Sequence, residues 1–323
     1  SPQYCDLVGR LVLGEIASEF PWSTAQTPGG TVALRVAGET LRRVFNVPKI
    51  WMSNPTWANH PQIFEGAGLE IGYYQYLQGD KTALNFSGLI DSLEQTSPGD
   101  AILLHAVCHN PTGVDISQQQ WCELAAVILR KQLFPVFDFA YQGFGESLSL
   151  DSFPIQQFVR LGGEALICNS FSKNFGLYGE RVGGITAVTQ SPESSRCMQS
   201  QIQATIRTIY SNPPLHGGRI VEKILASPSL RQSWEMELEQ IRLRIESLRQ
   251  QFVHTLKELV PNRDFNYING QRGMFSYSGL SADQAEKLKV QHGIYVLKSG
   301  RINIAGINQH NLHSICHAIS QVV

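Results

Sequence analysis

Four short apolar runs, at residues 49–52, 101–107, 133–139 and 165–168, alternate with stretches of helical period such as 117–130. This alternation limits the fold more than any other feature of the chain. Strand, helix and strand in succession build a parallel sheet covered by helices, so the expected class is α/β with a mostly parallel sheet sandwiched by helices. A long helical pattern then runs from about Leu230 to Leu259, with Trp234, Leu238, Ile241, Ile245, Leu248, Phe252 and Leu256 at steps of three and four. Beyond it, Phe275-Ser276-Tyr277, a helix over 281–292, strands at 293–297 and 301–305 and a closing helix make a smaller α+β C-terminal unit. At 323 residues the chain exceeds one ordinary domain. The expected division is a large domain over residues 1–235 and a small one over 236–323, joined by the long helix. No repeat or flexible linker separates them, so the two should share an interface and close on a ligand.

A formal net charge of −1 with 16% charged residues and no block of like charge argues against nucleic acid or an anionic membrane as partner, and for a small molecule. The six cysteines are scattered with no CxxC pair, which suits reduced thiols rather than a disulfide framework. The apolar runs are strand-sized and no signal peptide is visible, so a soluble, cytoplasmic protein is expected. Ser1 reads as falling inside an element, as at a shortened or engineered start.

Chemistry gathers after the strands. Ser170-Phe171-Ser172-Lys173-Asn174-Phe175-Gly176, with Arg181 beyond it, follows the run at 165–168. Lys173 therefore stands at the C-terminal mouth of a strand, where open α/β sheets bind ligands. An amine there can form a Schiff base with an aldehyde cofactor, while Ser170 and Arg181 hold a phosphate by charge-assisted hydrogen bonds. Pyridoxal phosphate carries both groups; on this segment alone a solvated loop is the commoner reading. Asp138 ends another run and is followed by Phe139-Ala140-Tyr141, so a carboxylate and a phenol leave one strand end. An aspartate there is often a helix cap. Paired with Lys173 it gains a second reading, because a carboxylate against a pyridine nitrogen keeps it protonated and the ring an electron sink. At about 3 Å and an effective dielectric near 20, such a pair is worth roughly 5 kcal/mol before desolvation.

His109-Asn110-Pro111-Thr112-Gly113 is a strong turn signal. Asn110 either donates with Tyr141 to a phenolate oxygen or is simply part of an Asn-Pro turn. Trp57, in Asn54-Pro55-Thr56-Trp57-Ala58-Asn59-His60, either stacks on the ring or belongs to the core. Thr27-Pro28-Gly29-Gly30-Thr31 precedes the amphipathic Leu34, Ala37, Leu41, Val44 and Phe45, so it is a phosphate seat at a helix N-terminus or a plain turn. Gly66-Ala67-Gly68 lies between helix and strand, the reverse of a dinucleotide fingerprint. His105, Cys108 and His109 match no common metal spacing, and no metal is expected. Arg207 and Arg301 sit in apolar or turn-rich surroundings, where a guanidinium is costly unless paired. Two such forks suit a substrate with two carboxylates; either alone also reads as a structural ion-pair member.

Assembled, these segments resemble the aspartate and aromatic aminotransferase family of pyridoxal-phosphate enzymes, over nearly everything from Thr27 onward. The likeness is carried in order by residues 55–60, 109–113, 138–144, 170–183, 210–214, 273–275 and 299–301. It implies that family's major-domain fold, with Lys173 as Schiff-base lysine and proton shuttle, Asp138 as pyridinium partner, and Tyr141 and Asn110 as phenolate contacts. Gly30, Thr31, Ser170, Ser172 and Arg181 would serve the phosphate, and Trp57 would cover the ring. On the substrate side it implies Trp57, Asn110 and Phe275, with Arg301 on the α-carboxylate. Arg207 would reach in from the second subunit of a homodimer to a distal carboxylate, and His60 would back Asp138.

The implied reaction is transamination between aspartate, with aromatic amino acids accepted, and 2-oxoglutarate. Arg207 favours aspartate and glutamate, while residues 177–181 and 271–280 resemble the aromatic branch. Two departures stand out. Several dozen N-terminal residues of the family pattern are missing, and relatives use them for a dimer-clasping arm, part of the small domain and a tyrosine at the partner's phosphate. A non-catalytic homologue that folds and dimerises but binds cofactor poorly is therefore the alternative. Val32 also replaces the usual glycine after the phosphate-binding threonine, for which only a small adjustment is expected. A pyridoxal-phosphate lyase or decarboxylase is disfavoured by the two arginines.

Overall fold

The apolar runs become the inner strands of one sheet. A computed structural model describes residues 1–79 and 82–323. Its larger sheet contains β1 (Trp22–Thr27), β2 (Lys49–Asn54), β3 (Glu70–Gln75), β4 (Ala101–His105), β5 (Phe134–Phe139), β6 (Ala165–Ser170) and β7 (Gly183–Val188). Their spatial order is β1-β7-β6-β5-β4-β2-β3, and only β7 runs against the others, so the sheet is mostly parallel as expected.

Before, between and after these strands lie α1 (Pro2–Leu13), α2 (Gly29–Val44), α3 (Asn59–Gly66), α4 (Phe86–Glu94), α5 (Gln118–Arg130), α6 (Phe153–Arg160), α7 (Pro192–Ile209) and α8 (Leu215–Ala226). Successive strand residues point to opposite faces, and the core divides accordingly. Leu103, Val136, Leu166 and Cys168 pack with Leu34, Phe64 and Ile202 from α2, α3 and α7. Ile102, Leu104, Phe137 and Ile167 pack with Val8, Leu93, Trp121, Ile155 and Val221 from α1, α4, α5, α6 and α8. Local signals agree with this packing: Ser117 and Gln120 form a capping box at the start of α5, satisfying N–H groups that the helix cannot.

The long helical pattern is α9 (Pro228–Leu259). Its apolar stripe extends the second core through Trp234, Leu238, Ile245 and the fully buried Phe252, each worth about 1.5–3 kcal/mol of burial. The same core continues to Leu288, Ile302 and Cys316 in the C-terminal part. There β8 (Phe275–Tyr277) and β9 (Arg301–Asn303) pair antiparallel, with α10 (Ala282–His292) and α11 (Leu312–Ser320) around them.

Four expectations need correction. Residues 293–297 form no strand: among the described residues the small sheet has two strands, and without a neighbour to take its hydrogen bonds the segment is left irregular, with Tyr295 82% exposed. The strand expected at 301–305 ends at Asn303 and becomes a 3-10 turn over Ile304–Gly306, and the one at 101–107 ends at His105. Ser1 is not inside an element, since its hydroxyl caps α1 by accepting from the Tyr4 N–H at 3.4 Å. All six cysteines are free thiols. Among the described residues, no helix is long and apolar enough to cross a membrane.

Candidate active site

Because β1, β2, β4, β5 and β6 run parallel, the loops that leave their C-terminal ends meet along one edge of the sheet. Antiparallel β7 brings its N-terminal end to the same edge. Thr27 and Ser170 both pair with Gly183, so the ends of β1, β7 and β6 lie side by side. That junction builds an anion seat. A Cβ on Gly183 would stand 2.5 Å from the Asn169 carbonyl oxygen and 2.9 Å from the Gly29 carbonyl carbon, so only glycine lets the start of α2 come this close. The first N–H groups of α2, at Gly29 to Thr31, have no partners within the helix and carry its positive dipole end. Facing them, the Ser170 hydroxyl donates to that of Ser172 at 3.1 Å, and Arg181 Nη1 reaches Ser172 Oγ at 3.4 Å and the Tyr178 carbonyl at 3.0 Å. Arg181 is held at φ 53°, a conformation side chains resist, which turns it back over the seat.

Asp138 is buried at the end of β5 and is bonded to a ring. His60 Nε2 lies 3.0 Å from Asp138 Oδ2, and His60 Nδ1 lies 2.7 Å from the Thr56 hydroxyl. Burial, the largest influence, pushes the Asp138 pKa up, but the His60 bond and the nearby His60, His105 and Lys173 hold it below the usual carboxylate value. His105 is buried behind them with neither ring nitrogen hydrogen-bonded, and burial pushes its pKa down to about 3, so it is a neutral imidazole at pH 7. Donor atoms of His60, His105 and Asp138 lie within 4.8 Å of one another, a grouping the sequence set of His105, Cys108 and His109 did not anticipate. His109 is used otherwise: it is stacked on Tyr76 at 3.8 Å and held between the hydroxyls of Ser53 and Thr112.

Lys173 lies with its amine 5.0 Å from the centre of the Tyr141 ring. Burial lowers its pKa, opposed by Asp138 and reinforced by Arg181, so the free amine is more accessible than in an exposed lysine. Burial and the Asp138 charge raise the Tyr141 pKa, which keeps the phenol protonated and able to donate. Asn110 Nδ2 is 3.4 Å from that hydroxyl, and Asn110 Oδ1 accepts from Arg301 Nη1 at 3.0 Å. The Arg301 guanidinium lies 4.3 Å over the Phe275 ring, which flattens the fork against an apolar wall and leaves other donors free.

One cavity of about 260 Å³ joins these groups. Gly30, Thr31, Trp57, Asn110, Asp138, Tyr141, Ser170, Ser172, Lys173, Arg181, Phe275 and Arg301 all line it. Arg207 does not; it lies in the last turn of α7 beside a separate groove of about 830 Å³ between α1, β1 and α7. Leu34, Ala140 and Tyr178 also line the cavity and were not anticipated. Leu34 and Ala140 looked only apolar in the sequence, whereas Tyr178 could have been found from its place between Lys173 and Arg181. The arrangement combines an accessible amine, an ionised buried carboxylate, an anion seat and a guanidinium fork.

Comparison with known proteins gives this geometry a family. The model for aminotransferase class I and II matches residues 5–319. Aspartate aminotransferase of Escherichia coli (strain K12) is 46% identical over 300 residues, covering 93% of this chain and 76% of that protein. The aromatic-amino-acid aminotransferase of the same organism is 40% identical over 301 residues, covering 93% and 76%. Among solved structures, the aromatic-amino-acid aminotransferase from Burkholderia pseudomallei, described as covalently bound to pyridoxal phosphate, superposes with a TM-score of 0.96 at 42% identity, covering 99% of this chain and 81% of that one. The chain belongs to the class I and II aminotransferase family.

Proposed function

We propose that this chain is a pyridoxal-phosphate-dependent aminotransferase that moves an amino group between aspartate, with aromatic amino acids accepted, and 2-oxoglutarate. The observation that carries the reading is the convergence of Lys173, Asp138 and the anion seat on one cavity. The residues fit the cofactor. The seat offers hydroxyls, a guanidinium and helix N–H groups to a phosphate, and at Gly30 a Cβ would already come within 3.1 Å of Ser170 Cβ, so the backbone there is bare for a close approach.

When bound, pyridoxal phosphate supplies an electron sink for the bond broken at the substrate α-carbon. Asp138, kept ionised by His60, holds the proton on the ring nitrogen. Tyr141 and Asn110 donate to the ring oxygen. Gly30, Thr31, Ser170, Ser172 and Arg181 hold the phosphate, and Trp57 covers the ring. Arg301 takes the α-carboxylate in its fork, beside Phe275 and Asn110. Lys173, whose pKa burial lowers, would hold the cofactor's aldehyde carbon and would be the amine that moves the proton at the substrate α-carbon.

The proposal extends to assembly. Two domains, 1–235 and 236–323, are joined through α9, and a cytoplasmic homodimer shares its sites, with Arg207 of one subunit meeting the distal carboxylate in the other. The alternative of a non-catalytic homologue is not favoured, since the relatives above are named as aminotransferases. The test is the absorption spectrum with added pyridoxal phosphate, beside Lys173→Ala, before and after aspartate and then tyrosine. The expected result is a Lys173-dependent visible band that either amino acid bleaches and 2-oxoglutarate restores. A band that persists unchanged in Lys173→Ala, or no band at all, would reject the reading.

A further inference from the structure

Asn110 and Tyr141 stand on different loops, after β4 and after β5, yet their hydrogen bonds to one ring oxygen depend on their mutual placement. Each loop is stapled by a carboxylate outside the cavity. Asp115 accepts the N–H of Cys108 on one oxygen and the N–H of His109 on the other, both at 2.8 Å. Asp151 accepts from Gly143 at 2.8 Å and Gly145 at 3.0 Å on one oxygen, and from Glu146 at 2.8 Å and Ser147 at 3.4 Å on the other. The pinned His109 adjoins Asn110, and the pinned Gly143 is two residues beyond Tyr141.

The backbone needs such support. Cys108 is held at φ 54° and Gly143 at φ 92°, and a side chain resists the first of these conformations. Neither carboxylate lines the site cavity. Both line a separate cleft of about 320 Å³ behind it, together with Glu146 and Arg272, which form an ion pair across the cleft. The C-terminal part bears on the same place: Arg272 donates its N–H to the Gly113 carbonyl at 2.7 Å, two residues before Asp115. An ionised carboxylate accepting paired N–H groups makes stronger bonds than a neutral acceptor.

We infer that Asp115 and Asp151 are positioning residues that set the Asn110–Tyr141 pair against the cofactor ring oxygen, each by holding the backbone of one loop. The inference rests on the function proposed above. Losing either staple would let one donor drift, leaving the ring oxygen more negative and raising the proton affinity at the Lys173 nitrogen beside it.

Two measurements test it. The first is the pH midpoint of the Lys173-dependent absorption band in the loaded protein. It should rise by about half a pH unit, ~3-fold in the underlying equilibrium, in Asp115→Asn, which keeps one acceptor, and further in Asp115→Ala. Glu146→Gln removes a charge from the same cleft without removing a staple and should leave the midpoint in place. A midpoint unmoved in both Asp115 variants would overturn the inference, as would an equal shift in Glu146→Gln, which would assign the effect to charge alone. The second is hydrogen exchange in the unloaded protein. Asp115→Asn should speed exchange in residues 106–113 and Asp151→Asn in 141–147, each leaving the other segment protected; unchanged exchange in its own segment would overturn the claim for that residue. Should the wild-type protein show no band, the proposed function fails and the exchange result alone decides whether the carboxylates hold the loops. Should Asp151→Asn fail to fold, the Asp115 pair still carries both measurements.

Discussion

Gly183→Ala is the sharpest perturbation of the anion seat, because its Cβ has nowhere to go. It would meet the Asn169 carbonyl oxygen at 2.5 Å and the Gly29 carbonyl and α carbons at 2.9 and 3.0 Å. All three are backbone atoms, so no rotamer change relieves the contact, and β6 and the start of α2 must move apart. Overpacking of this kind costs about 1–3 kcal/mol, and with backbone on both sides the upper half of that range applies. The displaced N–H groups of Gly30 and Thr31 are those proposed to meet the phosphate. One lost hydrogen bond to a charged group costs about 1.5–3 kcal/mol, or roughly 10- to 100-fold in Kd. The assay is thermal unfolding of the unloaded protein together with absorbance titration by pyridoxal phosphate. Gly162→Ala serves as the comparison, since Gly162 has φ 90° with no atom within 4 Å of its would-be Cβ and lies before β6, at the far edge of the sheet. It should lose stability through backbone strain alone and keep its cofactor affinity. Wild-type affinity in Gly183→Ala, or an equal loss in Gly162→Ala, would refute the argument that the three strand ends form the seat.

Two further outcomes follow from the proposed function. Arg301→Lys keeps the charge but loses the planar fork that lies over Phe275 and bonds Asn110, so KM for both amino acid and oxo acid should rise roughly 10- to 100-fold, as measured by steady-state kinetics; equal KM values would remove Arg301 from the carboxylate site. Mixing Lys173→Ala subunits with Arg207→Ala subunits should restore activity toward aspartate that neither has alone, because one hybrid site would carry both native residues; no recovery in a mixture shown to exchange subunits would put Arg207 outside a shared site.

What was legible in the chain shares one physical cause. Asp138 ends an apolar run and Lys173, Asn110 and Trp57 each follow one by a few residues, and in a parallel sheet every such position faces the same edge. Strand periodicity and the handful of motifs after each strand therefore place the site without any knowledge of long-range contacts. The same reasoning fails where an outcome depends on a partner far away in sequence. Residues 293–297 have the composition of a strand, but a strand forms only where a neighbour takes its hydrogen bonds, and here none does. Asp115 and Asp151 drew no reading from the sequence, because their backbone partners, though only four to eight residues away, are set by loop conformation and not by periodicity. The sequence reading sets Arg181 with Ser170, and it is antiparallel β7, whose first residue Gly183 pairs with Ser170, that brings it to that edge. The sequence by itself determined which residues stand at the mouths of the strands, because that follows from local pattern and strand direction. Tertiary structure alone decided that Gly183 brings the start of α2 against the end of β6 and that Arg272 of the C-terminal part meets the Gly113 carbonyl, because each is a contact between segments far apart in sequence that only the completed fold brings together.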